Sequence, residues 1–147
     1  MMETPFDKIL DALKVFDPKK IAINHLKEIK EELEDMVSKQ LLDGETPIGE
    51  PIRPEYQSLD YAKLKQRLFP NPKRDLRTPN LKLNGDYHKG ITAQTNEEET
   101  VFTNTDLKDR FLQPKYGDLM NLNEKNKEDL IQDIELVLIE ERNKLFL

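Results

Sequence analysis

The middle of the chain is a basic, proline-rich stretch between two acidic ends with helical patterns, and this arrangement constrains the fold most. Residues 51–90 contain nine Lys or Arg against four acidic residues, a charge of +5. Residues 1–50 sum to −5 and residues 91–147 to −6. A chain with charge segregated in this way carries complementary surfaces on one molecule. That property favours self-assembly or docking over catalysis.

Composition predicts a single domain, 1–147, with a thin core. The chain has 36% hydrophobic and 35% charged residues, against about 45–50% and about 25% in typical domains, so some segments are expected to order only against a partner. It has no cysteine, which excludes disulfides and fits a reducing cytoplasm. The start, MMETPFDKIL, is unlike a signal peptide. No apolar run approaches the ~18 residues of a membrane span, so we expect a soluble chain of intracellular origin with no membrane partner.

Capping residues and prolines predict two N-terminal helices. Thr4 followed by Pro5 predicts the start of a short amphipathic helix. Asp17 followed by Pro18 predicts a second start, and apolar residues at 3/4 spacing then indicate one long helix over about 18–42. Its apolar positions are Leu26, Ile29, Leu33, Met36, Val37 and Leu41.

Residues 44–80 are predicted to form an extended basic arm that projects from the domain. Six of the nine prolines lie in this segment, and proline removes a backbone donor and holds its predecessor out of the helical region. A moderate helical pattern over 59–69 interrupts the extended chain. Long stretches without regular structure inside a domain are usually binding elements or disordered.

The last third of the sequence predicts a small antiparallel sheet, from about 81–105, and a C-terminal helix. ITAQTN (91–96) and TVFTNT (100–105) alternate as strands do and are separated by an acidic tip. Asp106 predicts a short turn through Phe111, and residues 113–117 predict a loop. Asn123 is placed to cap the last helix. The apolar residues expected to face the core are Leu130, Ile131, Ile134, Val137, Leu138 and Leu145, and those expected to anchor the arm are Leu81, Leu83 and Tyr87.

The residues show no catalytic or metal-binding pattern. His25 is predicted to be a surface histidine of the long helix. His88 forms an Asp-x-His pattern with Asp86, but no Ser or Cys has a recognisable nucleophile setting. The acidic runs have neither the alternating oxygen ligands nor the turn glycine of a calcium loop. We therefore predict no enzyme activity, no cofactor and no metal.

The basic stretch interleaves cations with aromatic residues, a pattern that fits either of two partners or a solvated basic face with no partner. Such residues could hold phosphates and bases of a nucleic acid, or they could lie on the acidic helix face of a neighbouring subunit. The overall pI of 5.1 and the acidic surface of the same chain favour protein contact. The contact residues predicted on the arm are Arg53, Tyr56, Tyr61, Lys63, Arg67, Arg74 and Arg77.

The segment from Asp43 to Ile91 resembles small virion proteins of tailed bacteriophages. Those proteins share a DG…I…P-x-Y…YA-x-x-K segment followed by P-N-L-x-L-x-G-D-aromatic…I, which here reads PNLKLNGDY with Ile91. The second part is similar to the L-T-G-x-L…S-I signature of the broad neck and tail-completion family. The likeness extends through KYGDLMNLNEKN and the final helix, so it covers residues 43–147.

The resemblance implies a structural role in the virion. Such proteins form a ring between portal and tail that joins the DNA-filled capsid to the tail. The expected partners are other copies of the chain, portal and tail or other connector proteins, and incidentally the DNA in the channel. We expect an α+β fold with long N- and C-terminal helices on the small sheet, in a protein assembled in the host cytoplasm. The alternative is a nucleic-acid-binding accessory protein that uses the same arm.

Overall fold

In this computed structural model, which describes residues 4–82 and 84–146, two helices from the N-terminal part pack on a β-hairpin, and the C-terminal helix packs on the first of them. The mixture of helices with a two-stranded antiparallel sheet confirms the predicted α+β class. In chain order, the elements of the described residues are α1 (Pro5–Val15), α2 (Pro18–Glu28), α3 (Lys30–Leu42), α4 (Leu59–Leu68), α5 (Asp86–Lys89), β1 (Ile91–Thr95), β2 (Thr100–Asn104), α6 (Asp109–Tyr116) and α7 (Glu124–Lys144).

Side-chain caps begin three helices where the sequence predicted them. Thr4 Oγ1 accepts a hydrogen bond from the Asp7 N–H at 3.1 Å, and the Thr4 N–H donates to Asp7 Oδ2 at 3.0 Å, which completes a capping box. Asp17 caps α2 by accepting from the Lys20 N–H, and Asn123 caps α7 by accepting from the Asn126 N–H. These caps satisfy N–H groups that have no partner inside the helix.

The predicted long helix over 18–42 is divided at Ile29. There the backbone departs from helical values, with φ −94° and ψ 25°. The Ile29 N–H still donates to His25 O, and the Ile29 carbonyl accepts from the Leu33 N–H, each at 3.0 Å. Both halves contact β1, but the main neighbour of α2 is α7, whereas the main neighbour of α3 is β1. Neither proline nor glycine marks this position, so the pattern gave no sign of the break.

The core is centred on α3. Its residues Leu33, Val37 and Leu41 are fully buried, as their 3/4 spacing predicted. The hairpin covers them from one side, and a loop that ends at the start of α7 adds Leu119 and Leu122. The buried apolar residues that form this core are Leu33, Val37, Leu41, Ile52, Leu81, Tyr87, Ile91, Ala93, Phe102, Leu119, Met120 and Leu122.

The hairpin has the predicted strands, but the sheet begins later than predicted. Ala93 pairs with Phe102 across the two strands, and Thr95 pairs with Thr100 next to the acidic tip. The predicted start of the sheet near residue 81 is wrong, because Leu81 adopts a positive φ of 57° and residues 86–89 form the short helix α5. Leu81 and Tyr87 are buried in the core as expected. Leu83 lies outside the described residues.

The segment predicted as a loop over 113–117 is the end of α6. That helix runs through Pro114 to Tyr116, and Gly117 follows it with φ 84°. Proline loses only one N–H there, in the last turn, where the helix ends two residues later. The short turn predicted to end at Phe111 is therefore longer than expected, and the loop prediction is wrong.

The basic segment, residues 44–80, does not project as predicted but folds onto the core. Ile52 is fully buried in the core cluster. The Ile52 N–H donates to Gly44 O at 2.8 Å, and the Tyr56 N–H donates to Arg77 O at 2.8 Å, so the two ends of the segment lie side by side. Asn71 Nδ2 donates to Leu42 O at 2.9 Å, which fixes the segment to the end of α3. The prolines shape turns, whereas burial of the apolar residues between them holds the segment in place.

A close approach at Gly44 makes this packing possible. Gly44 has a φ of +75°, and a Cβ added there would lie 2.5 Å from Thr78 Cγ2 and 3.0 Å from Arg74 Cγ. Glycine is therefore required both for the backbone conformation and for contact between the end of α3 and residues 74–78.

Gly44→Ala should destabilise the protein more than Gly49→Ala. Gly49 has a similar φ of +81°, but nothing lies within 4 Å of the position that its Cβ would take. Gly49→Ala adds only backbone strain, about 1 kcal/mol, whereas Gly44→Ala adds steric overlap and should lose about 2–4 kcal/mol of unfolding free energy. Urea denaturation followed by circular dichroism measures both. Equal losses would contradict the packing of the basic segment on α3.

Candidate assembly interface

Three of the seven predicted contact residues share the outer face of one helix. Tyr61, Lys63 and Arg67 are exposed residues of α4. Arg53 is also exposed, but it lies before α4 and forms an ion pair with Glu55. Of the predicted set, this exposed face therefore carries only the residues that belong to α4.

Arg74 is buried and is used inside the protein. Only 4% of it is exposed. Its guanidinium donates through Nη1 to Thr78 O at 2.6 Å and through Nη2 to Gln66 Oε1 at 2.9 Å. The planar guanidinium with several donors suits such a cross-link between a helix and a loop. The prediction that Arg74 contacts a partner is therefore wrong for this conformation.

Arg77 and Tyr56 are also occupied by contacts within the segment. Arg77 Nη1 lies 3.3 Å from Tyr56 O and 3.2 Å from Gln57 O. The Tyr56 hydroxyl oxygen accepts from the Asn80 N–H at 3.3 Å, and burial raises the pKa of this hydroxyl. The Tyr56 ring meets the edge of the Tyr61 ring, with centroids 5.1 Å apart. Tyr56 therefore supports Tyr61 from behind, and Tyr61 is the one of the pair that reaches the outer face.

A third cation of the basic segment, Lys65, points inward. Lys65 is only 3% exposed, and its ammonium donates to Lys82 O. The ammonium groups of Lys65 and Lys82 each lie 5.0 Å from the centre of the Phe69 ring, a cation–π arrangement. Burial, together with the nearby charges of Arg74 and Lys82, lowers the pKa of Lys65 to about 8. The cationic surface of the segment is consequently smaller than the sequence suggested.

The outer face of α4 has two parallel stripes. Ser58 caps the helix by accepting from the Tyr61 N–H at 3.1 Å, and the fully buried Ala62 holds the inner side against the segment. One outer stripe is apolar and consists of Tyr61, Leu64 and Leu68 at i, i+3 and i+7. The other is cationic and consists of Lys63 and Arg67 at i and i+4. Residues at these spacings lie next to one another on a helix surface.

The apolar stripe on α4 was missed in the sequence. The moderate helical pattern predicted over 59–69 gives no role to Leu64 or Leu68. Leu68 is 60% exposed in the structure, and Leu64 is 41% exposed. Their spacing from Tyr61 was the available signal, since it marks a second apolar face on a short helix that needs only one for its own packing.

The outer face of α7 combines apolar and acidic residues. Ile131, which was predicted to face the core, is 55% exposed, because it lies about 100° around the helix from the half-buried Leu130. The predicted inward positions Ile134, Val137 and Leu138 are only partly exposed, whereas Leu145 is on the exposed side. Leu136 and Ile139 add exposed apolar side chains to the outer face, and the exposed acids among and beside them are Glu128, Asp129, Glu135 and Glu140.

Helix α1 also has an apolar face without a partner in the described part of the chain. Its large apolar residues are exposed, and none of its residues is buried. The apolar positions are Phe6, Ile9, Leu10 and Leu13, on one side of the helix. Together with α4 and α7, this gives three helices with exposed apolar faces. Contiguous exposed apolar surface in a soluble protein marks an interaction site.

Each of the two histidines makes polar contacts that join distant parts of the chain. His88 Nε2 lies 2.8 Å from Asn80 O, and Ser38 Oγ lies 2.7 Å from His88 Nδ1. A carbonyl can only accept, so Nε2 carries the proton and the Ser38 hydroxyl donates to Nδ1. His25, predicted as a plain surface residue, places Nε2 2.7 Å from Asp133 Oδ2 and so joins α2 to α7.

The Ser38–His88 pair has the spacing of a nucleophile and its base, but its surroundings suit a structural role. Ser38 lies inside α3, where backbone N–H groups are used by the helix and cannot stabilise an oxyanion. The groove beside the pair is lined by Glu31, Glu34 and Asp35, whose charge opposes a developing negative charge. We interpret the pair as a link between α3 and the chain before the hairpin.

A polar groove of about 600 Å³ lies between the end of α3, the 44–51 turn and the start of α7. The buried Gln40 crosses its base and donates through Nε2 to Asn121 O at 2.8 Å, while Oε1 accepts from the Asn123 N–H and from Asn126 Nδ2. Lysines and carboxylates line the walls in mixed order, so the groove does not select one charge. Residues 4–82 and 84–146 contain no group of three or more side chains placed to hold a metal.

His88 should make stability depend on pH below neutrality. Burial, reinforced by Lys82 and Lys65, lowers the pKa of His88 from its ordinary 6.5, although the hydrogen bond that His88 donates to the Asn80 carbonyl acts in the opposite direction. Below about pH 6.5 the unfolded chain binds a proton at this histidine that the folded chain does not bind. The free energy of unfolding therefore decreases as the pH is lowered. Wild type should therefore lose more stability between pH 7 and 5 than His88→Gln, as measured by urea denaturation. The same slope in both proteins would contradict this interpretation.

Lys65→Met should stabilise the protein near neutral pH. The folded pKa of about 8 lies below the ordinary 10.5, so stability in wild type rises as the pH rises through this interval and Lys65 loses its buried charge. At pH 7 the variant should gain about 1–2 kcal/mol in unfolding free energy, and the gain should shrink by pH 10. Lys63→Met, at an exposed position of the same helix, is the control and should show no such change with pH.

Comparison of the chain with models of protein families, with curated proteins and with solved structures gives no match in any of the three searches. None of the helices in the described ranges is long and apolar enough to cross a membrane.

Proposed function

We propose that this protein is a structural subunit of a tailed-phage virion that forms, with copies of itself, a ring of the head–tail connector. The observation that carries the proposal is the outer face of α4, where a stripe of exposed apolar residues runs beside Lys63 and Arg67. A face of this kind is typical of a protein interface, with apolar residues for burial and charges for register.

The free faces of α1 and α7 support an assembly role. A subunit inside a ring has neighbours on both sides, and in a connector it also meets different proteins above and below. Three exposed apolar faces on a chain of 147 residues fit that number of contacts better than they fit a protein that works alone in water. The portal and tail or other connector proteins are the expected additional partners, and the virion is the expected location.

The nucleic-acid alternative is weakened by the way the basic segment folds. Arg74 and Lys65 are buried, and Arg77 is bound to backbone carbonyls. The exposed cations that remain on α4 stand next to leucines rather than in a purely polar groove. Binding driven by phosphates needs many accessible cations and weakens steeply with salt. Any contact with channel DNA would then be incidental to assembly, and the protein would have no enzymatic activity and need no cofactor.

Leu68→Glu should abolish self-assembly without unfolding the protein. Because Leu68 is 60% exposed in the single chain, its replacement should change the unfolding free energy by less than about 0.5 kcal/mol. Burying the new charge at a subunit interface would be strongly unfavourable. Light scattering over a range of concentrations, with electron microscopy of any rings, measures the assembly. Leu107→Glu is the control, since Leu107 is 76% exposed in the chain segment between β2 and α6.

Two results together would contradict the proposal and support the nucleic-acid alternative. The chain would stay monomeric at high concentration, and it would bind a short DNA duplex with an affinity that falls steeply as salt is added. Assembly of wild type and of Leu107→Glu, together with monomeric Leu68→Glu, is the expected set of results.

A further inference from the structure

We propose that the outer face of α4 on one copy docks on the outer face of α7 on the next copy. The pairing rests on the proposed assembly of several copies and names the two surfaces that would form each contact. The faces are different patches of the same chain, so the contact is heterologous. Such a contact closes into a ring when it repeats about a rotation axis.

The apolar residues of the two faces have matching lengths. On α4, Tyr61 and Leu68 are seven residues apart, which corresponds to about 10 Å along the helix. On α7, Ile131 and Ile139 are eight residues apart, or about 12 Å. Side chains of this size on two helices at 8–10 Å between axes can interdigitate along that length. Each face is exposed in the single chain, so each is available to a second copy.

The charges of the two faces are opposite. Lys63 and Arg67 form the cationic stripe of α4, and Glu128 and Glu135 lie on the same side of α7 as Ile131 and Ile139. Within the ranges that the structure describes, none of these four charged residues takes part in an ion pair of its own chain. They are therefore free to pair across an interface, where opposite charges fix register and exclude wrong partners. Asp60 lies in the first turn of α4, so the cationic part of this face is its later half.

The face of α1 is the other apolar surface that could cover α4, and its charges suit α4 less well. The polar side of α1 carries Asp7, Lys8, Asp11 and Lys14, which sum to zero. It offers no net charge to complement Lys63 and Arg67. The acidic outer face of α7 is the surface of this chain that matches the α4 face both in charge and in exposed apolar residues.

Charge reversal tests the pairing directly. Variant A carries Lys63→Glu and Arg67→Glu, and variant B carries Glu128→Lys and Glu135→Lys. All four positions are exposed, so both variants should fold. Each variant alone would place like charges against each other and should require at least about tenfold more protein for half-assembly than wild type. Mixing A with B should restore assembly, because each α4 then meets an α7 of opposite charge, and so should a chain with all four substitutions.

The outcomes separate this pairing from the proposed function. If wild type assembles and variants A and B assemble equally well, the α4–α7 contact is overturned, but the ring proposal stands. Loss of assembly in A and B without rescue on mixing would likewise overturn the pairing. Wild type that does not assemble at any concentration would contradict the proposed function itself. Light scattering at low salt reports each case, and chemical denaturation confirms that every variant is folded.

Discussion

Burial of the inner side of α3 is the contact on which the rest of the structure depends. Leu33, Val37 and Leu41 have no exposed surface, and the hairpin, the basic segment and the loop before α7 all contribute to the cluster around them. In a chain with only 36% hydrophobic residues, one helix packed on several sides accounts for much of the favourable free energy. The other helices keep apolar faces in water because this small core does not extend to them.

Local signals in the sequence were sufficient to place most elements. Thr4, Asp17 and Asn123 begin helices because a side-chain oxygen satisfies free N–H groups of the first turn, an interaction between neighbours along the chain. The hairpin follows from alternation over ten residues. The break at Ile29 and the helical course through Pro114 have no such local signal. The break at Ile29 reflects tertiary packing, because α2 lies mainly against α7 and α3 lies mainly against β1. Pro114 is accommodated because it falls in the last turn of α6.

The candidate site was predictable only in part, because a count of charges does not show which side chains point outward and which point into the protein. The basic segment contains the cations that the sequence identified, but they divide among four roles. Arg53 is exposed in an ion pair with Glu55. Arg74 and Lys65 point inward and replace water with carbonyl oxygens, Arg77 binds carbonyls at the surface of the segment, and only the α4 pair remains on the outer face. The spacing of four residues between Lys63 and Arg67 indicated that they share one face of a helix. The prolines around that helix, however, suggested a free arm rather than a folded one.

The hydrogen bonds at the end of α3 have a geometric consequence for any closed assembly. Asn71 fixes the chain that follows α4 to Leu42 O, and two residues earlier in α3 Gln40 fixes the first turn of α7. The chain that follows α4 and the first turn of α7 are thus attached within one turn of the same helix. In a ring built from these two faces, the angle between them would be the wedge angle of the subunit, which determines how many copies complete the circle. The side-chain amides of Asn71 and Gln40 would then help to determine the curvature of the whole assembly.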